Sequence, residues 1–262
     1  MLQRLKARYR YWRLSKHPVP DRLWVAALRT APYANVLPKS AHAKLRELTT
    51  LFLLDKRFTT AHDLALTDGM RVVTALKACI PILELGLGYY DHFKGIVLYP
   101  GDFRVREQQV DDAGVVHEEV RELCGQSLSN GPIVLSWDTL KNEHAQDGQD
   151  LMIHECAHKL DILNGDADGF PPLHSSVSAN DWTRTLQRAY DALCCEVDAE
   201  RPTRIDPYAC ADAAEFFAVA SETFFTRPDI LFEDFPDVYR QLADFYRQDP
   251  YALIKHHDSA TR

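Results

Sequence analysis

His154, Glu155 and His158 stand in the run Asp150-Leu151-Met152-Ile153-His154-Glu155-Cys156-Ala157-His158-Lys159-Leu160-Asp161, an H-E-x-x-H pattern. Residues four apart on an α-helix share a face, so the two imidazoles can bind one metal ion from one side. The glutamate beside the first histidine can then reach a metal-bound water and act as its base. That combination would perform zinc-assisted hydrolysis. Leu151, Met152 and Ile153 before the motif and Ala157, Leu160, Ile162 and Leu163 after it predict a buried amphipathic helix, and a ligand pair needs such rigid support. Asn164-Gly165 is the expected helix end. Cys156, inside the motif, is expected to face away from the histidines.

A catalytic zinc needs a third protein donor and an open position. The longer pattern H-E-x-x-H-x-x-G-x-x-H is excluded, because Asp161 and Asn164 occupy the places of its glycine and third histidine. A later helix must supply the donor. In residues 206–225, Phe216, Phe217, Ala220, Phe224 and Phe225 make an apolar helix that also carries Glu215 and Glu222. These two acids are seven apart and share a face. Burying either is costly unless it is paired or metal-bound. On spacing alone, either serves.

The elements that must hold these groups fall in the order helices, strands, helices, which is α+β. Helices are expected over 40–56, 68–84, 180–200, around Glu215, and over 236–247. Strands are expected over 95–100, 103–109, 115–122 and 133–137, with a turn at 111–114. The strand at 133–137 is the candidate for a sheet edge that receives a peptide by strand addition. The loop 165–178, with Gly169, Pro171, Pro172 and His174, is a candidate cover for the site. His174 reads as a solvated loop histidine within possible reach of the metal. Residues 1–35 form a basic N-terminal segment and 36–262 a single domain. In the former, Arg4, Lys6, Arg8, Arg10, Arg13 and Lys16 accompany Leu2, Leu5, Tyr9 and Trp12 at helical spacing. This reads as a terminal helix with a solvated basic face, the alternative being a membrane or partner contact.

Composition narrows the function classes. With 46% hydrophobic and 26% charged residues the chain is of ordinary globular type. A net charge of −8 argues against general nucleic-acid binding. No apolar run is long enough to span a bilayer, and no signal-peptide pattern opens the sequence. The six cysteines show no C-x-x-C pair and read as reduced cytosolic thiols.

Four segments together resemble a known family: residues 154–165 (HECAHKLDILNG), 131–137 (GPIVLSW), 82–88 (ILELGLG) and 206–225. They are similar to the bacterial Mlc titration factor A metallopeptidases and, more distantly, to the protease domain of anthrax lethal factor. The resemblance runs from about residue 75 to the C-terminus. It implies a zincin-like fold of gluzincin type, mostly helical, with a small mixed or antiparallel sheet beside the zinc helix. It implies one Zn²⁺ per chain on His154, His158 and Glu215, with Glu155 as general base. Tyr208, seven residues before Glu215, would donate to the oxyanion. Glu222 would orient a ligand histidine, with Asp161, at i+3 from His158, as its rival for that task. The implied protein is a cytoplasmic peptidase, aminopeptidase-like, acting on a peptide or protein substrate. The alternative is a regulatory protein that binds and titrates an Mlc-type glucose-responsive repressor, with or without proteolysis.

Overall fold

The strands of the main sheet are short, three to five residues each, and its two central ones carry most of its buried apolar side chains. Chain order gives β1 (Arg57–Thr60), β2 (Gly95–Tyr99), β3 (Phe103–Val110), β4 (Val116–Leu123), β5 (Gly125–Ser127) and β6 (Ile133–Ser136). Four of them form one sheet in the order β1-β2-β6-β5. β1, β2 and β6 run parallel, and β5 joins β6 antiparallel. The sheet is therefore mixed. β3 and β4 form a separate antiparallel hairpin from Phe103↔Leu123 to Val110↔Val116, as the alternating pattern on either side of 111–114 predicts.

This is a computed structural model, and it describes residues 13, 14, 16–110, 116–123, 125–127, 131–142 and 148–261. The expected basic helix at residues 1–12, the turn at 111–114 and Cys124 lie outside the described residues.

One expectation is corrected. The strand at 133–137 is not the sheet edge. Ile133–Ser136 is hydrogen-bonded to β2 on one side and β5 on the other, and Trp137 begins a helix. Register explains why: Ile96 lies opposite Ile133 and Leu98 opposite Leu135, and all four are fully buried. A strand that apolar belongs inside a sheet. Among the described residues the edge strand on that side is the three-residue β5, which carries no apolar alternation to betray it, and β1 is the edge on the other.

The helices are α1 (Asp21–Leu28), α2 (Pro32–Asn35), α3 (Lys39–Asp55), α4 (Asp68–Cys79), α5 (Trp137–Asn142), α6 (Leu151–Asp161), α7 (Ala179–Asp198), α8 (Ala213–Thr226), α9 (Pro228–Asp234), α10 (Pro236–Tyr246) and α11 (Pro250–Thr261). The helix expected over 68–84 ends early at Cys79, because Pro81 has no N–H to continue the ladder. Gly86, with φ 89°, then turns the chain into the 3₁₀ segment Leu87–Tyr90. Pro228 and Pro236 open α9 and α10 at a position where a missing N–H costs nothing.

α8 is apolar nearly all round and runs through the core. Phe216, Phe217, Ala218, Ala220, Phe224 and Phe225 are all buried. Trp182 of α7, Phe217 of α8 and Phe245 of α10 pack ring against ring with centroids 5.7–6.1 Å apart. α6 lies against α8, and its Met152, Ile153, Cys156 and Leu160 are also buried. Trp24, Ala27 and Tyr33 belong to the same apolar core. Among the described residues no helix is long and apolar enough to cross a membrane.

Candidate active site

α6 starts at Asp150, whose Oδ1 accepts the Ile153 N–H at 3.1 Å and so caps the first turn. One turn on, His154 and His158 project from the same face with ring centroids 4.8 Å apart. Their Nε2 atoms are 3.1 Å from each other. α8 starts at Asp212, whose Oδ1 accepts the Glu215 N–H at 2.9 Å. Because Asp212 satisfies the helix end, the Glu215 carboxylate in that first turn is released toward α6. Its Oε2 lies 3.0 Å from His154 Nε2 and 3.4 Å from His158 Nε2. These donor atoms of His154, His158 and Glu215 all fall within 4.8 Å of one another, the only such group among the described residues.

Glu222 lies two turns further along α8 and meets the other side of the same ring. Its Oε1 accepts from His154 Nδ1, and its Oε2 accepts the Asp150 N–H at 3.3 Å. The choice that spacing left open is thus divided by geometry, with Glu215 on the Nε2 side and Glu222 on the Nδ1 side. Asp161, the rival orienting group, is occupied elsewhere and accepts the Gly169 N–H at 2.8 Å.

The electrostatics follow from burial and crowding. Burial alone would push the His154 imidazole down, but the carboxylates of Glu222 and Glu215 outweigh it and hold the ring well above its usual value. Burial would lift Glu215, yet hydrogen bonds from His154 and His158 hold it well below the carboxylate range. Glu222 is raised by burial, which exceeds the opposing pull of His154.

Glu155 is 3% exposed, and its Oε2 has no hydrogen-bond partner. Burial pushes its carboxyl up to about 7 against the opposing influence of His154 and His158. β5 runs beside it. A Cβ at Gly125 would overlap Glu155 Oε1 and stand 2.6 Å from Leu151 Cδ1, so only glycine allows the strand to come this close.

Tyr208 sits in the 3₁₀ turn Pro207–Cys210, where Asp206 Oδ1 accepts its N–H at 2.9 Å. Its side of the molecule is open, with 43% of the residue exposed, and its ring centroid is 6.3 Å from that of His154. His174 is turned away. Its Nε2 lies 3.0 Å from the Phe245 carbonyl, and its ring stacks on Phe245. Cys156 is fully buried with its thiol pushed up to about 12 by burial, an inert packing group.

The residues fit a divalent metal. With Nδ1 of His154 bonded to Glu222, its Nε2 faces His158 Nε2 and Glu215 Oε2. In the metal-free protein a proton on His154 is held among these carboxylates, and a divalent cation would take its place. Spacings of 3.0–3.4 Å match the about 3.3 Å expected between ligands of a tetrahedral ion with bonds of about 2.0–2.1 Å. Two imidazoles and one carboxylate are a donor set suited to Zn²⁺.

Sequence reasoning missed three contributors. Gly125 gave no signal, since its strand is too short to read. Asp150 was legible in principle, as an N-cap residue directly before an apolar run. Lys77 of α4, whose Nζ lies 3.0 Å from Asp150 Oδ2, carries no sequence signal that would set it apart from any lysine on a helix.

Comparison with known proteins identifies a family. The family model described as glucose-regulated metallo-peptidase M90 matches residues 4–247. Similar proteins named Mlc titration factor A occur in Pectobacterium atrosepticum, 44% identical over 237 residues, covering 88% of each chain. The Klebsiella pneumoniae relative is 36% identical over 234 residues, again 88% of each. An Escherichia coli relative is 37% identical over 235 residues, 89% of this chain and 88% of its own. A match over nearly the whole length, together with relatives at this identity, shows that the chain belongs to the glucose-regulated metallo-peptidase M90 family.

Proposed function

We propose that this protein is a zinc-dependent peptidase in which His154, His158 and Glu215 hold one Zn²⁺ and Glu155 is the general base. The observation that carries the reading is the convergence of three donor atoms from α6 and α8 beside a buried carboxylate with one unpartnered oxygen. Zn²⁺ bound there supplies Lewis acidity that polarises a carbonyl and makes water nucleophilic at neutral pH. Glu155 takes the proton of the attacking water and passes it to the leaving amine. Its burial suits it to hold a proton near neutral pH. Tyr208, at the open side, donates its hydroxyl hydrogen to the oxyanion. Glu222 holds the His154 ring by its Nδ1–H. The arrangement is zincin-like, of gluzincin type. Aminopeptidase-like action is the form that the family resemblance implies, on peptide or protein substrates in the cytoplasm.

The test is hydrolysis of amino-acid anilides and quenched peptides by the wild type and Glu155→Gln with zinc added. The variant is expected to keep zinc and to lose at least a hundredfold in turnover, the lower end of what a general base contributes. Full activity in Glu155→Gln would remove Glu155 from this role. Preference for anilides or for internal peptide bonds identifies the class of peptidase.

The name of the relatives, Mlc titration factor A, favours a second reading. In it the chain binds an Mlc-type transcriptional repressor, with or without cleaving it. Co-purification of that repressor with the Glu155→Gln protein separates binding from catalysis, and no retention would set this reading aside.

A further inference from the structure

A lysine in the middle of a packed helix is unusual unless its ammonium has a partner, and the partner here leads to the metal-binding face. Lys77 and Asp150 are 2% and 3% exposed, and their charged atoms are 3.0 Å apart. Asp150 makes three connections at once. Its Oδ2 receives Lys77, its Oδ1 caps α6 at Ile153 N, and its own N–H donates to Glu222 Oε2 at 3.3 Å. The other oxygen of Glu222 accepts from His154 Nδ1. A continuous buried path thus runs from α4 through the start of α6 to α8 and back to the first histidine.

Capping does not explain the lysine. Asparagine or serine would cap α6 equally well and without charge. An aspartate at 150, however, sets a buried negative charge beside Glu222, and two like charges in a low-dielectric interior repel strongly. Lys77 cancels that repulsion. With it, Glu222 rests against the Asp150 N–H and keeps the His154 ring turned so that Nε2 faces His158 and Glu215. Without it, the uncompensated Asp150 drives Glu222 off, and the ring loses the contact that fixes its orientation.

We infer that Lys77 and Asp150 are positioning residues that act as a charge-balanced buttress for Glu222 and, through it, for the metal-binding orientation of His154. This rests on the reading of His154, His158 and Glu215 as a metal site.

The experiment is a Zn²⁺ titration of the chelator-stripped, full-length protein in competition with a chromophoric chelator. Wild type, Lys77→Met and the double variant Lys77→Met/Asp150→Asn are compared, each with its metal-free thermal midpoint. Visible absorption of the Co²⁺-loaded proteins reports the donor set independently of activity. Lys77→Met is expected to bind Zn²⁺ about 10- to 100-fold more weakly, the usual effect of disturbing a partner of a ligand histidine. The double variant removes both charges while keeping a cap, and is expected to recover most of the affinity and the wild-type Co²⁺ spectrum. A merely structural pair would lower the midpoint without this loss and recovery of affinity.

Unchanged affinity in a folded Lys77→Met would overturn the inference. So would equal weakening in the single and double variants. If Lys77→Met alone fails to fold, the double variant still decides: near-wild-type affinity supports the buttress, and a loss of tenfold or more overturns it. Wild-type protein that takes up no Zn²⁺ would overturn the metal reading itself, and this inference with it.

Discussion

Gly125 of β5 and Glu155 of α6 touch so closely that even a methyl group cannot stand between them, since a Cβ at 125 would overlap Glu155 Oε1 and crowd Leu151 Cδ1. Gly125→Ala must therefore displace the strand or the carboxylate. Misplacing a catalytic group by about 1 Å costs on the order of a hundredfold in rate. The expected result is a turnover reduced by that order with one zinc per chain retained, because the atoms nearest to such a Cβ belong to Glu155 and Leu151. Turnover and metal content measured on the same preparation check this. Parallel loss of zinc would contradict it.

Glu215 and Glu222 face opposite nitrogens of one ring, and their removal should differ accordingly. Glu222→Ala is expected to weaken zinc binding about 10- to 100-fold, as loss of a carboxylate behind a ligand histidine does. Glu215→Ala removes a donor outright and is expected to weaken it further. Metal content after dialysis against graded chelator ranks the two, and the reverse order would exchange their roles.

The Tyr208 ring centroid is 6.3 Å from that of His154 and its hydroxyl is not one of the proposed zinc donors, so its removal should leave metal content unchanged. Tyr208→Phe keeps the ring and deletes the hydroxyl. Loss of one oxyanion donor costs about 100- to 1000-fold in turnover where it has been measured, and an exposed one is expected at or below the low end. The check is a lowered kcat at nearly constant KM. An unchanged kcat would assign Tyr208 to the rim alone.

Asp161 is fully buried, and burial pushes its carboxyl up to about 6. A raised carboxyl favours the protonated fold. Its contribution is therefore complete below about pH 4 and is lost as pH rises through 6. In the metal-free protein, Asp161→Asn should gain on the wild type over that window by roughly 2–3 kcal/mol, at about 1.4 kcal/mol per unit. Urea unfolding of both at pH 4.5 and pH 8 measures the change, and a pH-independent difference would refute it.

The α6 helix was readable because its information is local, with donors four apart, apolar flanks and a closing glycine within fifteen or so residues. The structure adds that the α-helix yields at Asp161 to a 3₁₀ turn, Ile162–Asn164, closed by Gly165 at φ 137°. The hairpin at 103–123 was readable for the same reason. Sheet order was not, because parallel pairing joins segments distant in sequence, and β1 offers only Phe58 as a buried residue. The same distance hid the division of labour between Glu215 and Glu222. They share a helical face, and only the approach of α6 makes one face Nε2 and the other Nδ1. Lys77 was illegible for a different reason, since a lysine stem among apolar residues ordinarily carries its charge to water.

The donors and their supports are scattered along the chain, from Lys77 through Gly125 and His154 to Glu215 and Glu222. Synthesis delivers the two histidines long before the helix that completes the set. A nascent chain, or one cut between α7 and α8, owns the signature motif and yet presents two donors where a stable site needs three. Tight zinc retention at the proposed site would thus require α8 to be present, and a chain lacking it would carry the motif without the complete donor set.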